Sequence, residues 1–221
     1  EMTAIPNLLN KIDVKNSMVT IDAMGCQTKI AQQILQQKAD DVLALKENQK
    51  SLYDNVGSIF QLAEANQQKQ YKRILPRRKI EKIKDHGRIE TRNYTLVSAR
   101  DPLLFEWRWP GLSGLGKVEV TRTINHQVTR STRYFLTSLD YEAIDLFMKA
   151  VRKHGQIEID LQGSLEVSFK EDHSQIRLGH AAETIALIRR IALNWLKQEN
   201  SIKRGITCKR KTAAVQDTAY V

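Results

Sequence analysis

The sequence lacks most of the features that assign a protein by chemistry alone. Its two cysteines, Cys26 and Cys208, lie far apart and match no paired-thiol or zinc-ligand spacing, so reduced thiols in a cytosolic protein are expected. Glycine-rich nucleotide loops are absent, and no Ser-His-Asp arrangement can be recognised. No apolar run approaches the ~18–20 residues that span a bilayer. No basic-then-apolar stretch opens the chain, which points to a cytoplasmic protein without a membrane partner. There is no internal repeat. The first residue is Glu1 rather than Met, from which a processed chain or a fragment is expected.

What is present is charge of one sign. The 221 residues carry a formal net charge of +10, with 41% hydrophobic and 27% charged residues, a composition ordinary for a globular chain. The excess is clustered. Residues 69–92 hold ten Lys/Arg against Glu81, Asp85 and Glu90. Residues 177 to the end hold nine Lys/Arg against Glu183, Glu199 and Asp217. Clustered cations gain affinity for a polyanion by releasing its condensed counterions. A solvated surface or a basic tail would look the same in sequence.

Apolar periodicity predicts a mixed α/β chain. Residues 3–12 carry Ile5, Leu8, Leu9 and Ile12 at helical spacing around Pro6. Residues 17–24 hold a β-type apolar core that ends at Asp22 and is punctuated by Gly25. A helix follows at 28–38, with Ile30, Ala31, Ile34 and Leu35 in one stripe, and then a short apolar strand at 41–46. Strand, helix and strand in so short a span make a βαβ unit, whose strands should be parallel and buried between helices. A polar helix from about 48 to 70 keeps Leu52, Val56, Ile59, Phe60 and Ala63 in phase. Residues 92–98, 117–124 and 133–139 read as an antiparallel insert of three or so strands around a turn-rich loop at 107–116. Helices are predicted at 141–154, about 156–170 and 181–198. The basic stretch after Ser201 lacks periodicity and is expected to be a mobile tail.

Asp22 is the first residue with chemical promise. A carboxylate at the carboxyl end of a parallel strand sits where open α/β sheets place their ligands. It could equally cap the next helix or pair with a lysine, and position alone leaves both readings open.

Several motifs occur in order along nearly the whole chain. They are Thr20-Ile-Asp22-Ala-Met-Gly25-Cys26-Gln27, Ala44-Leu-Lys46-Glu-Asn48-Gln49, His86-Gly-Arg88-Ile-Glu90-Thr-Arg92, Arg108-Trp-Pro-Gly-Leu112 and Tyr134-Phe-Leu-Thr-Ser-Leu139. Further on come Arg152-Lys-His154, Ile157-Glu158, Phe169-Lys-Glu-Asp172, Arg177-Leu-Gly-His-Ala181 and Leu187-Ile-Arg-Arg-Ile-Ala-Leu-Asn194. In these the chain resembles the insertion-sequence transposases that include the H-repeat-associated proteins of enteric bacteria. The resemblance implies an RNase H-like core with three catalytic acids, Asp, Asp and Glu. Asp22 matches the second acid and Glu158 the third. The first belongs to an earlier strand, upstream of the segment that aligns with Glu1, and is not in this sequence. The implied cofactor is Mg²⁺ or Mn²⁺, because hard cations take carboxylate oxygens. Two such ions activate the entering oxygen and stabilise the leaving one in phosphodiester chemistry. The implied reaction is cleavage at insertion-sequence ends and joining of the 3′ hydroxyl to target DNA, in a bacterial, DNA-associated protein that can act as a homodimer in its DNA complex.

The sequence departs from the family's pattern around the third acid. Gly155 and Gly163 stand where the pattern has Trp, Ile159 where it has Asn, Gln162 where it has His, and Glu166 where it has Asp. Two glycines inside one helix would cost it about 2 kcal/mol relative to alanine. Such clustered changes are what a decaying mobile-element copy would show. Candidate DNA contacts are Lys46, Asn48 and Gln49 after the second strand, His86 and Arg88 at the head of the insert, Arg152 and His154 before Glu158, and Arg177. Trp107 and Trp109 flank Arg108 in a Pro-Gly loop and serve either packing or base stacking.

The expected architecture is thus an α/β fold with an RNase H-like core incomplete at its N-terminal edge. Residues 1–75 would form the central part of the core, 76–140 a β-rich insertion, 141–200 the helices that complete the core, and 201–221 the tail. The expected function is that of a DNA transposase lacking one acid, and so inactive alone. The rival readings are a non-catalytic DNA-binding or regulatory remnant and a basic α/β domain that binds RNA.

Overall fold

A computed structural model describes residues 4–65, 76–85, 87–100, 109–157, 161 and 163–216. The chain divides into two compact units, 1–152 and 153–221.

The first unit is built on one six-stranded sheet. A short helix α1 (Ala4–Leu9) precedes β1 (Met18–Ile21), α2 (Thr28–Gln36) and β2 (Asp40–Leu45), and α3 (Lys50–Ala65) follows. Then come four longer strands, β3 (Arg77–Asp85), β4 (Arg88–Ser98), β5 (Gly114–Ile124) and β6 (Gln127–Thr137), and the helix α4 (Ile144–Ile157). The sheet order is β1-β2-β6-β5-β4-β3. β1 and β2 are parallel, with Thr20 opposite Val42, as the βαβ reading requires. All other pairs are antiparallel. The four long strands therefore continue the sheet of the βαβ unit, through the pairing of Leu43 with Leu136 and its neighbours.

Alternating side chains give the sheet two apolar faces. On one, Leu43, Leu45, Val97, Leu115 and Leu136 pack with Ile30, Ile34, Val56, Ile59 and Phe60 from α2 and α3. On the other, Val42, Tyr94, Leu96, Val118 and Phe135 pack with Phe147 and Ala150 of α4. Gly116 lies under the Phe147 ring, where an added Cβ would collide with ring carbons. The helical stripes predicted in α2 and α3 are buried at every position but Leu35, which is half-buried.

Three expectations need correction. The parallel strands were expected to be buried alike, but every residue of β1 is only half-buried because β1 lies at the sheet edge, whereas β2 has neighbours on both sides. The antiparallel group, expected to hold three or so strands, has four, and the first of them was not foreseen. The missed one, β3, reads Arg-Arg-Lys-Ile-Glu-Lys-Ile-Lys-Asp, and as an edge strand it shows charge where a buried strand shows apolar alternation. Third, the stretch after Ser201 contains a helix.

The second unit holds α5 (Ser164–Phe169), α6 (Ala181–Gln198) and α7 (Ile206–Gln216). Residues 158–160 and 162, and with them much of the helix predicted at 156–170, lie outside the described residues. α7 was missed because its apolar residues are scattered around the helix, and specific polar contacts anchor it instead. Lys209 Nζ donates to Leu196 O at 3.1 Å and Glu199 O at 2.5 Å, satisfying carbonyls at the end of α6. Arg210 lies 5.7 Å over the Phe169 ring, and Ser168 and Thr207 hydroxyls meet at 3.0 Å.

Where β2 joins β6, a polar group is sealed inside the first unit. The buried Asp41 receives the Ser138 backbone N–H at Oδ1, 2.9 Å away, while Thr137 Oγ1 donates to the Asp41 carbonyl at 2.5 Å. Asp41 Oδ2 is buried without a hydrogen-bond partner among the described residues. Burial pushes this carboxyl up from 3.8 to about 6, the Ser138 hydrogen bond opposes that rise, and the Asp40 charge adds to it. Between those pH values the folded chain holds more protons here than the unfolded one, so this group weakens folding as pH rises from about 4 to 6. Asp41→Asn keeps an acceptor for Ser138 and removes the charge. The expected outcome is a stability gain relative to wild type that is small at pH 4 and grows to about 3 kcal/mol at most above pH 6, measured by urea unfolding of both proteins across that range.

Candidate active site

Asp22 follows β1 directly, at the carboxyl end of the parallel pair. Its backbone is extended, and it leads into a tight turn at Ala23–Gly25 before α2 begins at Thr28. Its side chain is 50% exposed. Lys46, the first residue after β2, reaches back with Nζ 3.2 Å from each carboxylate oxygen. Parallel pairing brings these two strand ends side by side.

The turn that carries Asp22 is tied down from the next segment. Asn48 Nδ2 donates to Ala23 O at 3.2 Å, and Gln49 Nε2 donates to Cys26 O at 2.5 Å. Both donors sit in the short turn Glu47–Gln49 that opens into α3. The Ala23 carbonyl also takes the Cys26 backbone N–H at 3.3 Å, and the two amides together fix the turn that Asp22 heads. A cleft of about 590 Å³ opens here, lined by Ala23, Met24, Gln27, Lys29, Asn48 and Trp109 among others. Cys26, also in its lining, is fully buried. Burial pushes its thiol up to about 12, with the Asp41 charge adding and the Gln49 hydrogen bond opposing, so it stays protonated and is no nucleophile.

The structure brings together Asp22, Lys46, Asn48 and Gln49 of the candidates named from sequence. Glu158 and His86 lie outside the described residues, as do Trp107 and Arg108. Trp109 packs against the core on the α2–α3 face. Arg152 sits 3.6 Å from Glu81, and Arg177 donates to the carbonyls of Ser174 and Ile176 in its own loop. His154 is half-buried on α4. α4 runs through Gly155 to Ile157, and a Cβ at Gly155 would meet nothing within 4 Å, so the glycine is not required by packing.

Arg88 belongs to a cluster that the sequence did not reveal. Glu90, fully buried, receives Arg88 Nη2 and Arg122 Nε at 2.8 Å each and Arg92 Nε at 2.5 Å. Burial alone would raise this carboxyl, but the hydrogen bonds and charges of Arg92 and Arg122 outweigh it and hold its pKa below the ordinary value. The alternation of Arg88, Glu90 and Arg92 already placed those three on one face of a strand. Arg122 joins them through the pairing of Glu90 with Arg122, which the sequence does not state. The cluster locks β4 to β5 beyond the reach of the apolar core.

Asp22 offers the hard oxygen donor a divalent cation takes, but it offers it alone. Among the described residues no three His, Cys, Asp or Glu side chains gather as a metal-binding group. The site thus fits such an ion in the kind of ligand and supplies one member of the set. No helix among the described residues is long and apolar enough to cross a membrane.

The described part of the site is thus a strand-end acid followed by a tethered turn that lines a cleft. Residues 1–195 match the family described as Transposase DDE domain, and the chain belongs to that family. It is 39% identical, over its whole length, to the protein named "Putative transposase YncI" of Escherichia coli O157:H7. It is 35% identical, over 97% of its length, to the "H repeat-associated putative transposase YhhI" of Escherichia coli K12. It is 36% identical, again over 97%, to the protein YbfL of the same strain. The chain spans 56% of the length of each of these relatives. No solved structure matches it.

Replacing Gln49 by alanine removes the donor to the Cys26 carbonyl. Gln49→Ala is expected to cost about 1–2 kcal/mol in denaturant-induced unfolding, as for a partly buried hydrogen bond whose acceptor is stranded. It should also raise amide hydrogen exchange at 23–27 above that of the α2 helix.

Proposed function

We propose that this chain is the part of a DNA transposase that carries the second and third catalytic acids, Asp22 and Glu158, on an RNase H-like core that an upstream strand with the first acid completes. In this reading 76–140 is a β-rich insertion into that core, and residues 141–200 bring in the helix with Glu158. The observation that carries the proposal is Asp22 itself: a half-exposed carboxylate at the end of a parallel strand, heading a turn that is held by two side-chain amides and lines a cleft, in a member of a DDE family.

Asp22 and Glu158 would hold Mg²⁺ or Mn²⁺, which when bound activates the attacking oxygen and stabilises the leaving one at the scissile phosphate. Lys46 neutralises Asp22 in the absence of that ion and turns to a DNA phosphate in its presence. Asn48 and Gln49 keep the acid aimed, and Arg88, Arg152, His154, Arg177 and His86 are candidate DNA contacts. The substrates are insertion-sequence ends and target DNA, and the working form is a homodimer on DNA.

A second reading is favoured by one observation, the ion pair in which Lys46 engages both oxygens of Asp22. It makes the chain a DNA-binding derivative without chemistry. Nicking of supercoiled plasmid in Mn²⁺ separates the two. The assay compares the 221-residue chain with a version extended by the upstream segment of a full-length relative. The expected outcome is metal-dependent nicking by the extended protein, lowered at least a hundredfold by Asp22→Ala and by Glu158→Ala, and little or none by the 221-residue chain. Equal nicking by both alanine variants would remove these acids from the mechanism. No nicking by the extended protein would favour the second reading.

A further inference from the structure

Toward their turns the two hairpins β3–β4 and β5–β6 contribute no residue to either buried core cluster, the outermost members on β4 and β5 being Tyr94 and Val118. Their outer rungs can be read from the register. Lys84, Ile89, Thr123 and Val128 lie across from one another in one rung, and Lys82, Thr91, Thr121 and Arg130 in the next. Directly paired residues in a sheet point to the same side, so these eight side chains share one face. It is opposite to the face on which Arg88, Glu90, Arg92 and Arg122 cluster, because those occupy the alternate positions.

The two faces treat charge differently. Around Glu90 the arginines are anchored: Arg88, Arg92 and Arg122 all converge on its one carboxylate, and Arg152 meets Glu81. Across the two outer rungs of the other face there is no acid at all. Lys82, Lys84 and Arg130 are exposed there and form no ion pair among the described residues. The half-buried hydroxyls of Thr91, Thr121 and Thr123 lie between them. Neighbouring strands stand about 4.8 Å apart, so Lys82 and Arg130, three strands apart, mark out a platform about 14 Å wide. Blunting the two exposed strand edges would account for lysines on β3. It gives no reason for two rungs with three cations, three hydroxyl donors and no carboxylate, the nearest acid of this face being Glu119 in the next rung, paired with Lys117.

From this we infer that the two acid-free outer rungs of this face, carrying Lys82, Lys84 and Arg130 with Thr91, Thr121 and Thr123, bind the phosphate backbone of duplex DNA. The cations supply charge, the threonine hydroxyls donate to phosphate oxygens, and backbone contacts of this kind position a duplex without reading its sequence. The Glu90 cluster on the reverse side keeps the platform rigid, so little order has to be gained on binding. The inference rests on the reading that the chain acts on DNA, and it assigns that partner a surface separate from Asp22.

The test is fluorescence anisotropy with the 221-residue chain and two unrelated 30-base-pair duplexes at several salt concentrations. Removing one cation–phosphate interaction should lower the slope of log affinity against log salt by about 0.9. The triple variant Lys82→Gln/Lys84→Gln/Arg130→Gln is expected to lower it by about 2.7, equally on both sequences. The control on the opposite face, Arg77→Gln/Lys79→Gln, should leave it unchanged. All five side chains are exposed, and circular dichroism is the check that each variant folds. The single variant Arg130→Gln, with an expected drop of about 0.9, serves if the triple does not fold. A wild-type slope retained by the folded triple variant overturns the platform while leaving DNA binding in place. Absence of salt-sensitive binding by the wild type overturns both. Preference for a duplex RNA of the same length overturns DNA as the occupant.

Discussion

The pairing of β2 with β6 is the constraint on which the first unit depends. Its four rungs, Val42 to Leu45 against Thr137 back to Tyr134, join a parallel βαβ unit to an antiparallel four-stranded group and make them one sheet. Leu43 and Leu136 are both fully buried there and belong to the same core as α2 and α3, while Val42 and Phe135 reach through to α4 on the other side. Without these rungs each half would have an apolar face with nothing behind it. The pairing is strong enough to carry a buried carboxyl, Asp41, one oxygen of which finds no partner among the described residues.

That junction also supports the candidate site at a distance. Asp22 ends a strand whose only neighbour among the described strands is β2. Lys46, Asn48 and Gln49 follow β2 directly, so the acid, its counter-ion and the amides that hold its turn all take their positions from the same strand. α3, which starts at Lys50, is in turn packed by five buried residues against the sheet. The site is thus built from short-range contacts mounted on a long-range pairing.

Much of this was legible in the residues, and what was not has physical causes. The stripes of α2 and α3, the parallel strands and the position of Asp22 at a strand end follow from apolar periodicity, because each element buries one face. β3 escaped because an edge strand tolerates charge at nearly every position, and α7 because cation–carbonyl and cation–ring contacts hold it rather than a stripe. Asn48 and Gln49 looked from sequence like groups for a ligand, whereas their side chains serve the backbone of the neighbouring turn. The Glu90 cluster was half visible: three of its members alternate along β4, but the fourth arrives from another strand, and a cross-strand partner is a property of register. Family membership came from motifs in order along the chain, which no single element conveys.

The same sheet has a kinetic side. β5 and β6 meet across Asn125 and His126, both in the left-handed region as a type I′ turn demands, and β3 pairs with β4 from Asp85 and Arg88 onward. Hairpins this local close within microseconds. The β2–β6 rungs, by contrast, join residues as far apart as Val42 and Thr137, and the entropy of closing such a loop must be overcome before any burial offsets it. On loop-closure grounds the local hairpins are the cheaper pairings to form and the β2–β6 pairing the costlier one.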